Sequence, residues 1–297
     1  MTPASAPAAI SRSPGRRRTY RLSLSAFWTL YQLTLRGHQH GKRWIIMTAL
    51  MLLPAGLGLL VRHTAPNVPS VAIEFIFVFL LIPQALLPLA ALIYASGIIQ
   101  DELEEQTFTY LLIRPISKSA IYAAKLLATL TTTVVLTVLF TALTYAAIYA
   151  GAGGNPVLSR CLKACSIHAL AVVAYCSLFG LMSLLTRRVL IAGIIYIVIV
   201  EGLFANLAFG IRLITVIYYL RIIAYRTLPF IVPTPSGPTD FAANAWQLDI
   251  SNDPKLLEHP QLPHCLIVLL GGSLACSILA MVLCSRREFH VKTVEKG

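Results

Sequence analysis

The sequence predicts an all-α polytopic membrane protein. Six transmembrane helices are preceded by an N-terminal interfacial helix, with re-entrant or interfacial helices before the last span. Three observations carry this. The chain is 57% hydrophobic and only 12% charged, with a mean hydropathy of +0.75, well outside the soluble globular range. Apolar runs near the ~20 residues that a bilayer core requires of a helix occur at about 44–61, 71–99, 121–150, 158–185, 189–209 and 263–284. With both chain ends set in the cytoplasm, 17 Lys and Arg residues fall inside and 7 outside, the asymmetry of the positive-inside rule. The net charge of +12 follows from that placement, so the expected surroundings are a lipid bilayer and not nucleic acid.

Residues 1–21 form a basic tail rich in Ala, Pro, Ser and Arg, a composition expected to be disordered. Arg17-Arg18 is not followed closely by an apolar core, so no cleaved signal is read. Residues 22–43 are assigned to an amphipathic interfacial helix. Leu24, Phe27, Tyr31 and Leu35 recur at helical spacing, Trp28 is adjacent, and basic residues lie at both ends. A soluble cytoplasmic helix is the alternative. Residues 44–290 hold the spans, and 291–297 a short cytoplasmic tail.

The second span is longer than the hydrocarbon needs, and Pro83 and Pro88 should bend it, each removing a backbone donor. Glu74, near its outer end, is expected to reach lipid headgroups. The last outward loop, 210–262, divides in two. Residues 211–231 mimic a seventh span, but Arg212, Arg221 and Arg226 point in different directions around a helix. A charge in mid-membrane costs about 2.5–3.5 kcal/mol on insertion scales, so this part is read as re-entrant or interfacial. Tyr218, Tyr219 and Tyr225 there are read as outer-interface markers. The proline-rich remainder, 233–263, is expected to be an ordered loop or short cap.

The most informative segment is the inward loop 100–120. Asp101, Glu102, Glu104 and Glu105 meet water just after Ile98 and Ile99 end the second span. Thr107 to Ile113 suits a short helix, with Phe108, Leu111 and Leu112 on one apolar face. Arg114-Pro115 ends it, because proline disfavours helix in the residue before it. Ser117 can cap the helix that begins at Lys118. A short helix held between two breaks can pass a push from a soluble partner to two spans together. A solvated connector against anionic headgroups is less favourable for four acids.

This segment resembles the first cytoplasmic loop of ABC transporter permeases of the type-2 exporter class. Their pattern is matched by Glu102, Glu104, Gln106-Thr107, Leu111-Leu112, Pro115-Ile116-Ser117-Lys118 and Lys125, with Gln106 where glycine is usual. The amphipathic first helix, six spans and re-entrant segment agree, extending the resemblance over about 22–290. It implies a coupling helix at Glu102, Glu104, Thr107, Leu111, Leu112, Arg114, Pro115, Ser117 and Lys118, seated on a separate ABC ATPase. It further implies two ATPase copies, a second permease copy or homologous permease, export, and residence in a cell (cytoplasmic) membrane such as a bacterial inner membrane. The chain has no Gly-x-x-x-x-Gly-Lys-Ser/Thr loop to cradle phosphates, so ATP and Mg are expected on the partner and no cofactor in this chain.

Among intramembrane polar residues, Glu201 lies 12 residues past Val189, about 18 Å along the fifth span. An acid there needs a partner, a proton or a water-filled cavity. Gly202, Asn206 and Gly210 let the chain bend, so that Arg212 can fold back to pair with Glu201, the reading preferred over direct substrate or proton contact. The threonines that crowd the third span, from Thr129 to Thr144, are read as helix-packing groups. Cys161, Cys165 and His168 share a helical face. Small packing residues explain them better than a metal site near the outer surface, and none of the six cysteines suggests a disulfide framework. The alternative function is a proton-coupled secondary carrier or channel using Glu201. It lacks the internal repeat common in such carriers. A membrane anchor without transport is a third reading. An intramembrane enzyme has no motif to support it.

Overall fold

The computed structural model describes residues 24–104, 117–151, 154–207, 210–234, 237–246 and 260–286. Among these residues six helices are long and apolar enough to cross a membrane: span 1 Arg43–Thr64, span 2 Ser70–Gln100, span 3 Lys118–Ile148, span 4 Asn155–Leu185, span 5 Val189–Asn206 and span 6 Leu262–Arg286. The chain is an all-α multi-pass membrane protein.

Span 4 is the hub. Its apolar window is 72% buried, against 28, 22 and 17% for spans 1, 5 and 6, so it lies among its neighbours while those three face outward. Outward leucine and isoleucine are the expected surface where the solvent is lipid. Small residues let the helices close in. A Cβ on Gly180 of span 4 would lie 2.6 Å from the Tyr122 hydroxyl of span 3, and one on Gly193 of span 5 only 2.2 Å from Leu92 Cδ1 of span 2.

Span 2 departs from regular α-helix. From Phe75 to Leu86 its hydrogen bonding is of the wider π type, and α-helix resumes at Leu87 and runs to Glu104. Pro83 lies within this stretch and withdraws a donor from it, while Pro88 lies in the first turn of the α-helix that follows. Span 5 widens in the same way across Tyr196–Leu203.

The N-terminal helix, Leu24–His40, packs on span 3. Leu30 is buried against Ala120, Ile121 and Ala124 beside Phe27, while Tyr31 donates to Thr131 Oγ1 at 3.1 Å. Leu24, Trp28 and Leu33 face outward. Apolar residues on both sides suit a helix with protein on one side and lipid on the other.

Beyond span 5 the chain makes a 3-10 turn, Gly210–Ile214, and a helix, Val216–Thr227. Twelve residues rise only about 18 Å, too short for a seventh crossing. Strands β1 (Ile231–Thr234) and β2 (Gly237–Asp240) pair antiparallel, Ile231 opposite Asp240. Asp240 then caps the helix Phe241–Trp246, accepting from the backbone N–H of Ala242 at 2.9 Å. Phe230 and Trp246 pack on Phe75 at centroid distances of 5.3 and 5.0 Å. This hairpin and helix form a small lid against span 2; of the loop or short cap expected over 233–263, residues 235–236 and 247–259 lie outside the described residues.

Candidate functional site

Two polar regions stand out, one at each end of the bundle. At the end where span 2 leads toward span 3, Asp101, Glu102 and Glu104 ride on the last turns of the helix that continues span 2. Thr107, Leu111, Leu112, Arg114 and Pro115 lie outside the described residues. Ser117 is the N-cap of span 3, its hydroxyl accepting from Ala120 N–H at 3.3 Å, and Lys118 is the first helical residue.

Both roots of the loop are tied to their neighbours. The buried Lys125 of span 3 donates from Nζ to the Ile98 carbonyl of span 2 at 3.0 Å. Gln100 Nε2 donates to the Thr186 carbonyl at 2.8 Å, at the turn carrying Arg187 and Arg188. Cys284 of span 6 contacts the Lys118 carbonyl at 3.6 Å. The roots of the loop thus link spans 2, 3, 4 and 6.

Toward the opposite end, Glu201 is buried and does not pair with Arg212. Its Oε1 accepts from Tyr196 Oη at 2.8 Å and from Val216 N–H at 3.0 Å, and its Oε2 accepts from Ile217 N–H at 2.9 Å. Glu201 thus caps the helix Val216–Thr227 from the adjacent span. Unpaired N–H groups and the positive end of the helix dipole suit a carboxylate there. The preferred pairing is not formed: the carboxylate is turned toward these backbone donors. Arg212 instead lies over the Tyr218 ring, 5.0 Å from its centroid. Arg221 takes the place nearer Asn206, donating to Asn206 Oδ1 at 2.9 Å and to Gln84 Oε1 at 3.4 Å.

Tyr218 and Tyr219 also differ from expectation. They are buried in the apolar core, because the re-entrant helix is enclosed by spans 4 and 6 and not laid along the outer surface.

Sequence reasoning missed Glu74. It is fully buried, not at the headgroups. Tyr145 and Tyr149 donate to it at 2.6 and 2.5 Å, and Arg160 Nε lies 3.0 and 3.1 Å from its two oxygens. Arg160 Nη1 also donates to the Pro229 carbonyl at 3.0 Å, and Lys163 Nζ to that of Thr227 at 3.1 Å. Spans 2, 3 and 4 and the re-entrant helix are thereby joined at one point. Burial, then the bond to Glu74, push the Tyr149 hydroxyl above its ordinary pKa, so it remains a donor. The available signal was depth: Glu74 and Arg160 both lie about one turn inside the outer ends of their spans.

His168 is fully buried, with Nδ1 2.9 Å from Thr141 Oγ1 and Nε2 3.0 Å from the Val78 carbonyl. A carbonyl only accepts, so Nε2 carries the proton and Nδ1 accepts from Thr141. Both nitrogens are engaged, and the Cys165 thiol points to the Val138 carbonyl at 3.8 Å. Among the described residues no three His, Cys, Asp or Glu side chains are grouped to hold a metal. Thr132, Thr133 and Thr144 donate to carbonyls of their own helix four residues back, the packing role read from their spacing.

The architecture thus has a helix end at Glu104 whose root is tied to neighbouring spans and, toward the opposite end, a re-entrant helix capped from span 5. No curated protein matches the chain. A family described as ABC-2 family transporter protein matches residues 39–220, which include spans 1 to 5 and the start of the re-entrant helix. The chain belongs to the ABC-2 family of transporter proteins, as a membrane subunit.

Proposed function

We propose that this subunit is an exporter permease driven by separate ABC ATPase subunits that grip its inner loop, 100–120. Two ATPase copies and two permeases, identical or homologous, form the working unit, and ATP and Mg are bound by the ATPases. Both termini lie in the cytoplasm, in a bacterial inner membrane or equivalent cell membrane. Closure of the ATPase pair on ATP presses the loop and tilts spans 2 and 3, opening an outward route.

The observation that carries this reading is the bracing of both loop roots. Lys125 to Ile98 and Gln100 to Thr186 turn a local push into movement of a three-helix unit. Acidic residues at Glu102 and Glu104 offer charge complementarity to a basic groove. The test is charge reversal. The double variant Glu102→Lys/Glu104→Lys is expected to release the ATPase from the membrane and abolish transport-linked ATP turnover. Undiminished co-purification and turnover would refute the docking.

The rival carrier reading assigns a proton relay to Glu201. The hydrogen bonds from Val216 and Ile217 N–H favour a structural cap over a relay, because a relay carboxyl must exchange its proton with water or substrate.

A further inference from the structure

We propose that the outer half of the bundle contains a binding site for a phosphate-bearing anion, built from Arg212, Arg221, Asn206 and Trp246. Two adjoining cavities define it. One of about 50 Å³ lies by the end of span 5, between Asn206, Leu207, Arg212 and Trp246. The other, about 10 Å³, lies between Phe79 and Pro83 of span 2, Ile167 of span 4, Arg221 and again Trp246. Trp246 is the wall they share.

Charge gives the reason for a ligand. Arg212 is 7% exposed and Arg221 6%, so both guanidinium groups are removed from bulk water. Among the described residues neither meets a carboxylate. Arg221 bonds to Ala205 O, Asn206 Oδ1 and Gln84 Oε1, all neutral, and Arg212 faces the Tyr218 ring. Glu201, bonded to Tyr196 and two backbone N–H groups, lies within electrostatic reach of Arg221, and Asp240 caps its own helix. Arg212 pairs with no carboxylate among the described residues, and a buried cation without an anion is unfavourable. A second orphan adjoins it: Trp246, 5% exposed, has no hydrogen-bond acceptor for Nε1.

The donor set selects the chemistry. The donors are the Arg212 and Arg221 guanidinium groups and the Trp246 indole N–H, while the Asn206 amide bonds to Gly202 O and Arg221. A phosphate offers three or four oxygens and matches guanidinium in paired hydrogen bonds. The shared chemistry is the phosphate group, carried by a lipid or free. The site does not depend on the ATPase-docking reading.

The test uses the full-length permease alone, purified in a neutral detergent, with thermal unfolding followed during titration by short-chain phosphatidylglycerol, inorganic phosphate or laurate. Wild type is expected to be stabilised by a phosphate probe. Arg212→Gln and Trp246→Phe should each weaken apparent affinity about tenfold, the effect of losing one charge-assisted or buried hydrogen bond. Stabilisation by phosphatidylglycerol alone identifies a lipid headgroup, and stabilisation by inorganic phosphate identifies the free ion. The proposal is overturned if neither phosphate probe stabilises the protein, if laurate alone does, or if the variants respond like wild type. Trp246→Phe keeps an aromatic ring in the lid and decides the matter should Arg212→Gln not fold.

Discussion

Arg160→Met isolates the outer ion pair. The substitution keeps an unbranched side chain in span 4 but leaves the fully buried Glu74 with only Tyr145 and Tyr149 as donors. Breaking a buried pair by removing one partner costs about 3–5 kcal/mol. Arg160 retains 15% side-chain exposure, which argues for the lower end of that range, about 3 kcal/mol. Loss of the bond to the Pro229 carbonyl and of the contact with the Phe230 ring, 5.7 Å from its centroid, adds about 1 kcal/mol. At about 2–4 °C per kcal/mol for chains of this size, the midpoint should fall by roughly 8–16 °C. Thermal unfolding of the detergent-purified protein measures it. Glu74→Gln/Arg160→Met should recover part of the loss, giving a coupling of about 1–3 kcal/mol in the double-mutant cycle. A fall below about 2 °C for Arg160→Met, or strictly additive effects, would refute the reasoning.

Other perturbations test other joints. Gly180→Ala drives a Cβ to within 2.6 Å of the Tyr122 hydroxyl; it should destabilise by about 1–3 kcal/mol, and Tyr122→Phe in the same chain should restore stability if that contact is the cause. Lys125→Met removes the donor to Ile98 O while keeping the stem, so the ATPase should still bind but its turnover should no longer respond to transported substrate; intact coupling in a reconstituted assay would count against the bracing. Glu201→Leu strips the cap from Val216–Thr227, and amide exchange at Val216 and Ile217 should rise by at least about fivefold, the equivalent of ~1 kcal/mol. Unchanged protection there, with loss of proton-driven flux, would favour the carrier reading.

How much of this was legible in the sequence depended on whether the partner of a residue is set by periodicity. The spans were legible, because a bilayer demands long apolar helices and nothing else satisfies the backbone. Their observed ends, such as Lys118–Ile148 against 121–150, differ by only a few residues. The N-cap at Ser117 was legible too, since an N-cap is a local bond. The rejection of a seventh span was sound, but its stated cost of arginine burial was only part of the answer. Arg212 and Arg221 are buried, within protein and beside cavities, where neutral acceptors and an aromatic face receive them. Glu201 was singled out for its depth, yet its partners are backbone N–H groups of a helix that begins 15 residues later, and backbone donors leave no mark in residue identity. Glu74 was misread because a carboxylate near a membrane surface ordinarily reaches water. Only the convergence of Tyr145, Tyr149 and Arg160 at the same depth encloses it.

The central claim is that the helix end carrying Glu104 faces the cytoplasm and is gripped there by an ATPase. Glu104→Cys in native membrane vesicles tests it directly, with a membrane-impermeant thiol reagent from each side and a short bifunctional crosslinker. The account predicts labelling from the cytoplasmic side alone and a crosslinked ATPase whose yield changes when ATP is added. Labelling from the outer side, or an accessible cysteine that never captures an ATPase, would contradict it.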